Sequence, residues 1–382
     1  MKKTIQVETL AFGPELCELE AEWDALLMKS SRPTIFSSFD FIYTSCRDAE
    51  VDKQVFMLLF RDVSSSELLA IYPMRIEKAN VCGIQLLELT HAVTPQDTDV
   101  DKPYPIISKE HEAACWDRFR EYFRREYTAW DVITYEEVFE ESHLCRQLKS
   151  MFSFPAYWTK SKSGPTSPIV KLDGDWNEFW MDHRKLRKKS RRLERTLGEK
   201  LVYEVTCDPK DVERCLNGYS AVELISWKAG AYVATKEQQA FYRELWPRFS
   251  AKGRLYFGIM SEEDKVISVE VAYTFKDRVY FVHGTYDPDY AKLSVGTVNS
   301  SRLIEFFHGK GYVEGDFLAG YAGYNNPWAS RIENTQNVVI RKMNGKNWYL
   351  AFRHLFKKVM QKVRRILFAP SDENIKNAPT AV

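Results

Sequence analysis

Residues 254–260, 266–275 and 279–286 read as three consecutive strands, each rich in β-branched and aromatic residues. The third strand leads through 286-YDPDYAKLSVG-296 into a helical pattern at 297–308, and a further strand, 312-YVEGDFLA-319, follows. This order sets the start of a helix just after the end of a strand. The first amides of a helix lack intrahelical partners and sit at the positive end of its dipole, so such a start is an anion site, and glycine there lets a ligand approach the backbone. Leu293, Ser294, Val295, Gly296 and Thr297 would form the cradle.

The first half repeats the order. A strand at 4–9, helical stretches at 14–29 and near 38–47, and strands at 54–61, 68–76 and 84–90 lead to a polar loop at 91–108. A helix near 110–126, the strand WDVITYEEV and a short helix follow, and the Pro-rich segment 153–168 reads as a connector. In the second half, Asp175 caps one long helix that ends at Gly198; a second helix runs from Asp208-Pro209 to about Lys228 and a third covers 236–249. The expectation is a duplicated α/β (α+β) fold of two lobes, each a mixed central sheet flanked by helices. The lobes span 1–165 and 166–345, followed by a basic amphipathic helix at 346–368 and a polar, disordered tail at 369–382. No glycine lies between Gly83 and Gly164, and the first-half loop is rich in Pro and Asp, so only the second lobe should cradle phosphate.

A near-neutral charge of +1, from 54 basic and 53 acidic residues, argues against nucleic acid as a partner. The cysteines, at 17, 46, 82, 115, 145, 207 and 215, form no CxxC pair, which suits free thiols in a reducing compartment and no structural metal. The N-terminal MKKTIQVETL lacks the apolar run of a signal peptide, and the expected location is the cytoplasm, with peripheral contact to the inner face of the membrane through 348–368 as an option.

The second half resembles a known family. The chain has a basic helix followed by Leu-Glu (184-RKLRKKSRRLER-195), a Glu-x-x-x-Trp-Lys element (Glu223, Trp227, Lys228) and Tyr-Asp-Pro at 286–288. It also has Asp-Phe-Leu-x-Gly at 316–320, with Tyr324 and Trp328 soon after. These resemble the two-lobed GNAT-type acetyltransferases of the CelD-like branch, associated with cellulose and exopolysaccharide biosynthesis and related to the Fem-type peptidyl transferases. The resemblance spans roughly 170–330. It implies tandem GNAT-like lobes and an N-acyltransferase that uses acetyl-CoA or another acyl-CoA, with Ser294, Val295, Gly296 and Thr297 at the coenzyme pyrophosphate. The acceptor would be a small molecule or a sugar. Separately, the basic run 183–195 reads as a solvated face that could also draw an anionic partner such as an acyl carrier protein by electrostatic steering. Two positions depart from the family pattern: Val295 stands where proline is frequent, and Asn325 where lysine is.

Amine acyl transfer needs a base for the amine proton and an acid for the leaving thiolate. Glu223 shares a helical face with Leu216 and Tyr219, which aims a carboxylate at the interior, and Asp316 closes a strand beside the cofactor loop. A buried salt bridge for the first and a cap or turn for the second are the competing roles. His283, in 283-HGTYD-287, reads as a site-lining residue, and Tyr324 is preferred over Tyr321 as the acid. Trp227, Lys228 and Tyr321 are candidate acceptor contacts. Two alternatives stay open: a Fem-like transferase that takes its donor group from aminoacyl-tRNA, and a non-catalytic scaffold. Apolar positions in 348-WYLAFRHLFKKVMQKVRRILF-368 keep helical spacing, which fits packing on the chain's own body as well as a membrane surface.

Overall fold

A computed structural model describes residues 4–47, 54–95, 100–226, 228, 236–319 and 328–367. Trp227, Tyr321, Tyr324 and the tail lie outside the described residues. Thirteen strands join one mixed sheet. In chain order they are β1 (Ile5–Ala11), β2 (Gln54–Asp62), β3 (Leu68–Val81), β4 (Ile84–His91), β5 (Ile106–Ile107), β6 (Val132–Phe139) and β7 (Tyr157–Lys171). The second half adds β8 (Leu201–Thr206), β9 (Leu255–Glu262), β10 (Lys265–Phe275), β11 (Arg278–Tyr286), β12 (Glu314–Asp316) and β13 (Arg331–Lys342). Across the sheet the order is β1-β2-β3-β4-β6-β13-β7-β12-β11-β10-β9-β8, with β5 beside β3.

The two halves repeat one topology. From β1 to β13 the successive pairings are three antiparallel, one parallel (β4 with β6) and one antiparallel. From β8 to β7 they follow the same series, with β11 and β12 as the parallel pair. The closing strands are exchanged: β7, from the first half of the chain, completes the second sheet, and β13 completes the first. They pair with each other at the centre, from Arg331 opposite Ile169 to Lys342 opposite Tyr157. Cuts at 165 and 345 therefore do not separate two closed sheets.

The exchange overturns the reading of 153–168 as a connector. Tyr157–Lys171 is a strand of 15 residues, and its Pro165 is tolerated because it falls where the β7–β13 register shifts and the ladder is already broken. Gly164 fits the same spot, where a Cβ would lie 2.4 Å from the Thr335 hydroxyl. The long helix expected from Asp175 to Gly198 divides at His183, which leaves helical geometry at φ −94°, ψ 50°.

Helices cover both faces of the second sheet. On one face Tyr219 of Val212–Ile225 and Tyr242 and Trp246 of Lys236–Ala251 pack over Val269, Val271 and Tyr273. The same cluster continues into the first half through Trp23, Phe36, Phe39 and Phe41, so the halves share a core. On the other face Arg184–Leu197 and Val295–Gly309 pack together. Leu193 and Leu197 meet Val295 and Val298, while Leu186 joins Leu303, Ile304 and Phe307. The two helices therefore run antiparallel, and the basic one ends beside the start of Val295–Gly309.

Candidate active site

β10 carries one carboxylate, Glu270 near its middle, which faces the helix Val295–Gly309. Its cross-strand neighbours are both glycines, Gly258 on β9 and Gly284 on β11. A Cβ on Gly284 would lie 2.6 Å from a Glu270 carboxylate oxygen, so the missing side chain makes the space that the carboxylate fills. Glu270 is deeply set yet keeps some accessible surface. Burial raises its pKa from the ordinary glutamate value to about 7, against the hydrogen bond from Ser300 and the charge of Lys228. Near neutrality it can therefore accept a proton and later return it.

Ser300 Oγ lies 2.8 Å from Glu270 Oε1 and 3.1 Å from the carbonyl oxygen of Gly296. A hydroxyl has one hydrogen for these two acceptors. While Glu270 is ionised, Ser300 donates to it; a protonated Glu270 can donate to Ser300, which then turns to Gly296. Proton uptake at the carboxylate is thus linked to the first turn of the helix.

That first turn has no side-chain cap, and its N-cap residue, Ser294, adopts the left-handed region at φ 57°, ψ 38°. Ser294, rather than Gly296, makes the tight turn. Gly296 serves close packing: a Cβ there would lie 2.8 Å from the Tyr286 ring. Val295 is buried against Leu193 and Leu197, whereas Ser294, Gly296 and Thr297 are half-buried. The uncapped amides and the basic helix ending beside them suit an anionic group such as a pyrophosphate.

β11 pairs with β12 only from Arg278 to Tyr280. The register with β10 jumps from His283 opposite Val271 to Phe281 opposite Ala272, which leaves Val282 as a bulge. The bulge puts Val282 and His283 on the same face and returns Gly284 to the face of Glu270. Lys228 Nζ donates to the Gly284 carbonyl at 2.8 Å. Burial lowers the Lys228 pKa, and the negative charges of Glu270 and Glu223 oppose that shift, so the lysine lies within reach of both carboxylates' fields.

The expected site residues divide into three groups. Lys228, Gly296 and the helix start gather around Glu270. Glu223 is fully buried in Val212–Ile225, and His283 is buried with Nε2 3.0 Å from Tyr242 Oη and its ring edge-on to Tyr219, under the opposite face of the sheet. Asp316 is elsewhere, in an ionic cluster at the junction of the halves. Its carboxylate accepts from Lys102 Nζ at 2.9 Å, Ser167 Oγ at 2.5 Å and the Leu318 amide at 2.9 Å, with Arg278 at 3.4 Å. Burial pushes its pKa up, but the Lys102 and Arg278 charges and these hydrogen bonds outweigh burial and hold it below the ordinary value. A fully paired, ionised carboxylate is a poor proton acceptor at neutral pH. Glu270 was not among the residues read from the sequence; its signal is a lone carboxylate within the strand 265-KVISVEVAYTF-275. No group of His, Cys, Asp and Glu able to hold a metal occurs among the described residues.

In the second half a bulged third strand, an uncapped helix start and a parallel returning strand follow one another. Residues 182–326 match the family model described as an acetyltransferase (GNAT) domain. Among solved structures, the crystal structure of FemX is similar over 90% of this chain and 99% of its own, at 10% identity and a TM-score of 0.59. A conserved protein of unknown function from Bacteroides thetaiotaomicron is similar over 84% of this chain and 97% of its own, at 13% identity and a TM-score of 0.53. At such identities the likeness speaks for the shared fold across both halves. A search of curated protein sequences gives no match.

Proposed function

We propose that the second half is an N-acyltransferase that moves an acyl group from acyl-CoA, with acetyl-CoA the simplest donor, to an amine. The observation that carries the reading is the Glu270 carboxylate, set over Gly284 and joined through Ser300 to an uncapped helix start, within the stretch that matches the acetyltransferase domain model. Ser294, Val295, Gly296 and Thr297 would meet the pyrophosphate through their amides, and Glu270 would take the amine proton. Lys228 would hold the bulged strand through the Gly284 carbonyl. An amino sugar of an envelope or exopolysaccharide is the acceptor class that the family resemblance favours.

Calorimetry with acetyl-CoA, on the wild type and Gly296→Glu, tests this reading. We expect binding by the wild type and loss in the variant, since a carboxylate would be added at the anion site and pushed into Tyr286. Absence of binding to acetyl-CoA and to longer acyl-CoA by the wild type would overturn it and favour a scaffold role. A second reading, favoured by the similarity to FemX across both halves, is a transferase that draws its donor group from aminoacyl-tRNA. Activity that requires charged tRNA and disappears with ribonuclease would select it.

A further inference from the structure

The C-terminal helix Gly345–Leu367 is fixed to the first half by its beginning. Asn347 Nδ2 donates to the carbonyls of Asp131 and Lys342, each at 2.9 Å, and Lys346 Nζ pairs with Asp131 Oδ2 at 2.9 Å. Arg353 reaches the Cys82 carbonyl at 3.1 Å. From Phe352 to Phe356 and from Val359 to Gln361 every residue is exposed, so these stretches of the helix do not lie on the body. Phe352 is 69% exposed, Leu355 60%, Phe356 58% and Val359 49%, and Trp348 continues their stripe at helical spacing. Over these described residues the apolar stripe is not packed on the chain's own body, one of the roles compatible with the periodicity.

An apolar stripe left in water marks a surface that something covers. The composition of the helix selects what. Its 23 residues include seven lysines and arginines and neither aspartate nor glutamate. A second copy of the helix would bring the same charges and repel the first. A surface apolar below and negative at its boundary complements both properties. We propose that Gly345–Leu367 is an in-plane membrane anchor that docks the protein on an anionic lipid surface, with the Trp348–Phe352–Leu355–Phe356–Val359 stripe inserted below the headgroups. At about 1.5 Å per residue the helix is roughly 35 Å long. No described helix is both long and apolar enough to cross a membrane, so the contact is with one leaflet. The proposal does not depend on the acyl-transfer reading.

The test is co-sedimentation of the full chain with vesicles of phosphatidylcholine alone and of phosphatidylcholine mixed with phosphatidylglycerol. We expect pelleting with the mixed vesicles, little with the neutral ones, and release by salt. Phe352→Ser with Phe356→Ser should abolish pelleting, and Lys357→Gln with Lys358→Gln should weaken it about fivefold per charge removed. Both double variants should keep the wild-type melting temperature, which separates lost docking from misfolding. Failure to pellet with either vesicle, equal pelleting with both, or pelleting indifferent to the phenylalanine changes would overturn the proposal. So would a dimer in vesicle-free buffer that the phenylalanine changes dissociate, because the stripe would then cover a second copy.

Discussion

The two halves share a topology, so equivalent positions can be matched by register. In the second half Tyr280, at the end of the parallel pairing with β12, lies opposite Tyr273, and Glu270 is three residues before it. In the first half Thr90, at the end of the parallel pairing with β6, lies opposite Arg75, and Tyr72 is three residues before it. Tyr72 thus stands where Glu270 stands, and its partner on β2 is Leu58 where Glu270 has Gly258. The Tyr72 ring stacks on Phe119 at 4.7 Å and meets Trp116 edge-on, filling the space under the helix Glu112–Glu121 with apolar side chains. One sheet plan therefore supports two outcomes. In one half Gly284 makes room for a carboxylate able to take a proton; in the other a tyrosine stacked on aromatic rings fills the equivalent place with apolar contacts.

The sharpest break of this comparison is Glu270→Gln. With acyl-CoA and an accepted amine, we expect kcat to fall roughly 10²–10⁴-fold, the range for loss of a general base. The wild-type rate should rise with pH through about 7 and level off, since the ionised form is the acceptor, and the variant should lose that limb. Stability should move the opposite way. The folded-state pKa lies above the unfolded value, so the folded state binds more protons between about pH 4.5 and 7, and this group's contribution falls as pH rises through that window. Chemical denaturation at several pH values should show a shallower fall in the variant. An unchanged rate and pH profile would remove Glu270 from the reaction.

Asp316→Ala attacks the junction instead. It leaves Lys102, otherwise close to Asp101 at 2.8 Å, with one carboxylate fewer in a buried setting, and it takes a partner from Arg278 and Ser167. Breaking a buried pair from one side costs about 3–5 kcal/mol. We expect a large loss in denaturant midpoint with the pH–rate limb near 7 retained. A vanished limb in a still-folded variant would mean that the junction carboxylate is part of the chemistry after all. Gly284→Ala comes next: its Cβ would displace the Glu270 carboxylate, and misplacement on the scale of 1 Å can cost up to about 10²-fold in rate. Acetyl-CoA affinity should be kept, because the helix start is untouched.

How much of this was legible beforehand differs by region. The strand order, the uncapped helix start and the duplication follow from local periodicity and turn residues, which act within a few positions of chain. The exchange of β7 and β13 does not, because the pairing of Tyr157 with Lys342 joins segments far apart in sequence, and the prolines of β7 argue locally against a strand. Asp316 was visible as a carboxylate at a strand end; what determines its role is Lys102, brought from the first-half loop. Glu270 was hidden for the same reason. Its place as the one carboxylate of its strand is a local sign, but the glycine that makes room for it, Gly284, lies on another strand. At the helix start the left-handed turn is made by Ser294, and Gly296 leaves room for the Tyr286 ring, a contact with a residue ten positions away that local pattern does not show.

The smallest expected effect probes the closed half. The Tyr72 hydroxyl is buried and makes no hydrogen bond among the described residues, and burial pushes its pKa well above the ordinary value. An unpaired buried hydroxyl costs about 1–3 kcal/mol relative to an apolar group of the same shape, part of which relaxation around the site recovers. Tyr72→Phe keeps the ring stack on Phe119 and removes only that oxygen. We therefore expect unchanged or slightly higher stability, by about 1 kcal/mol, with kcat and acetyl-CoA affinity at wild-type values. A marked loss of activity on removing this one oxygen would show that the first half takes part in the chemistry, and the division of labour between the two halves would have to be redrawn.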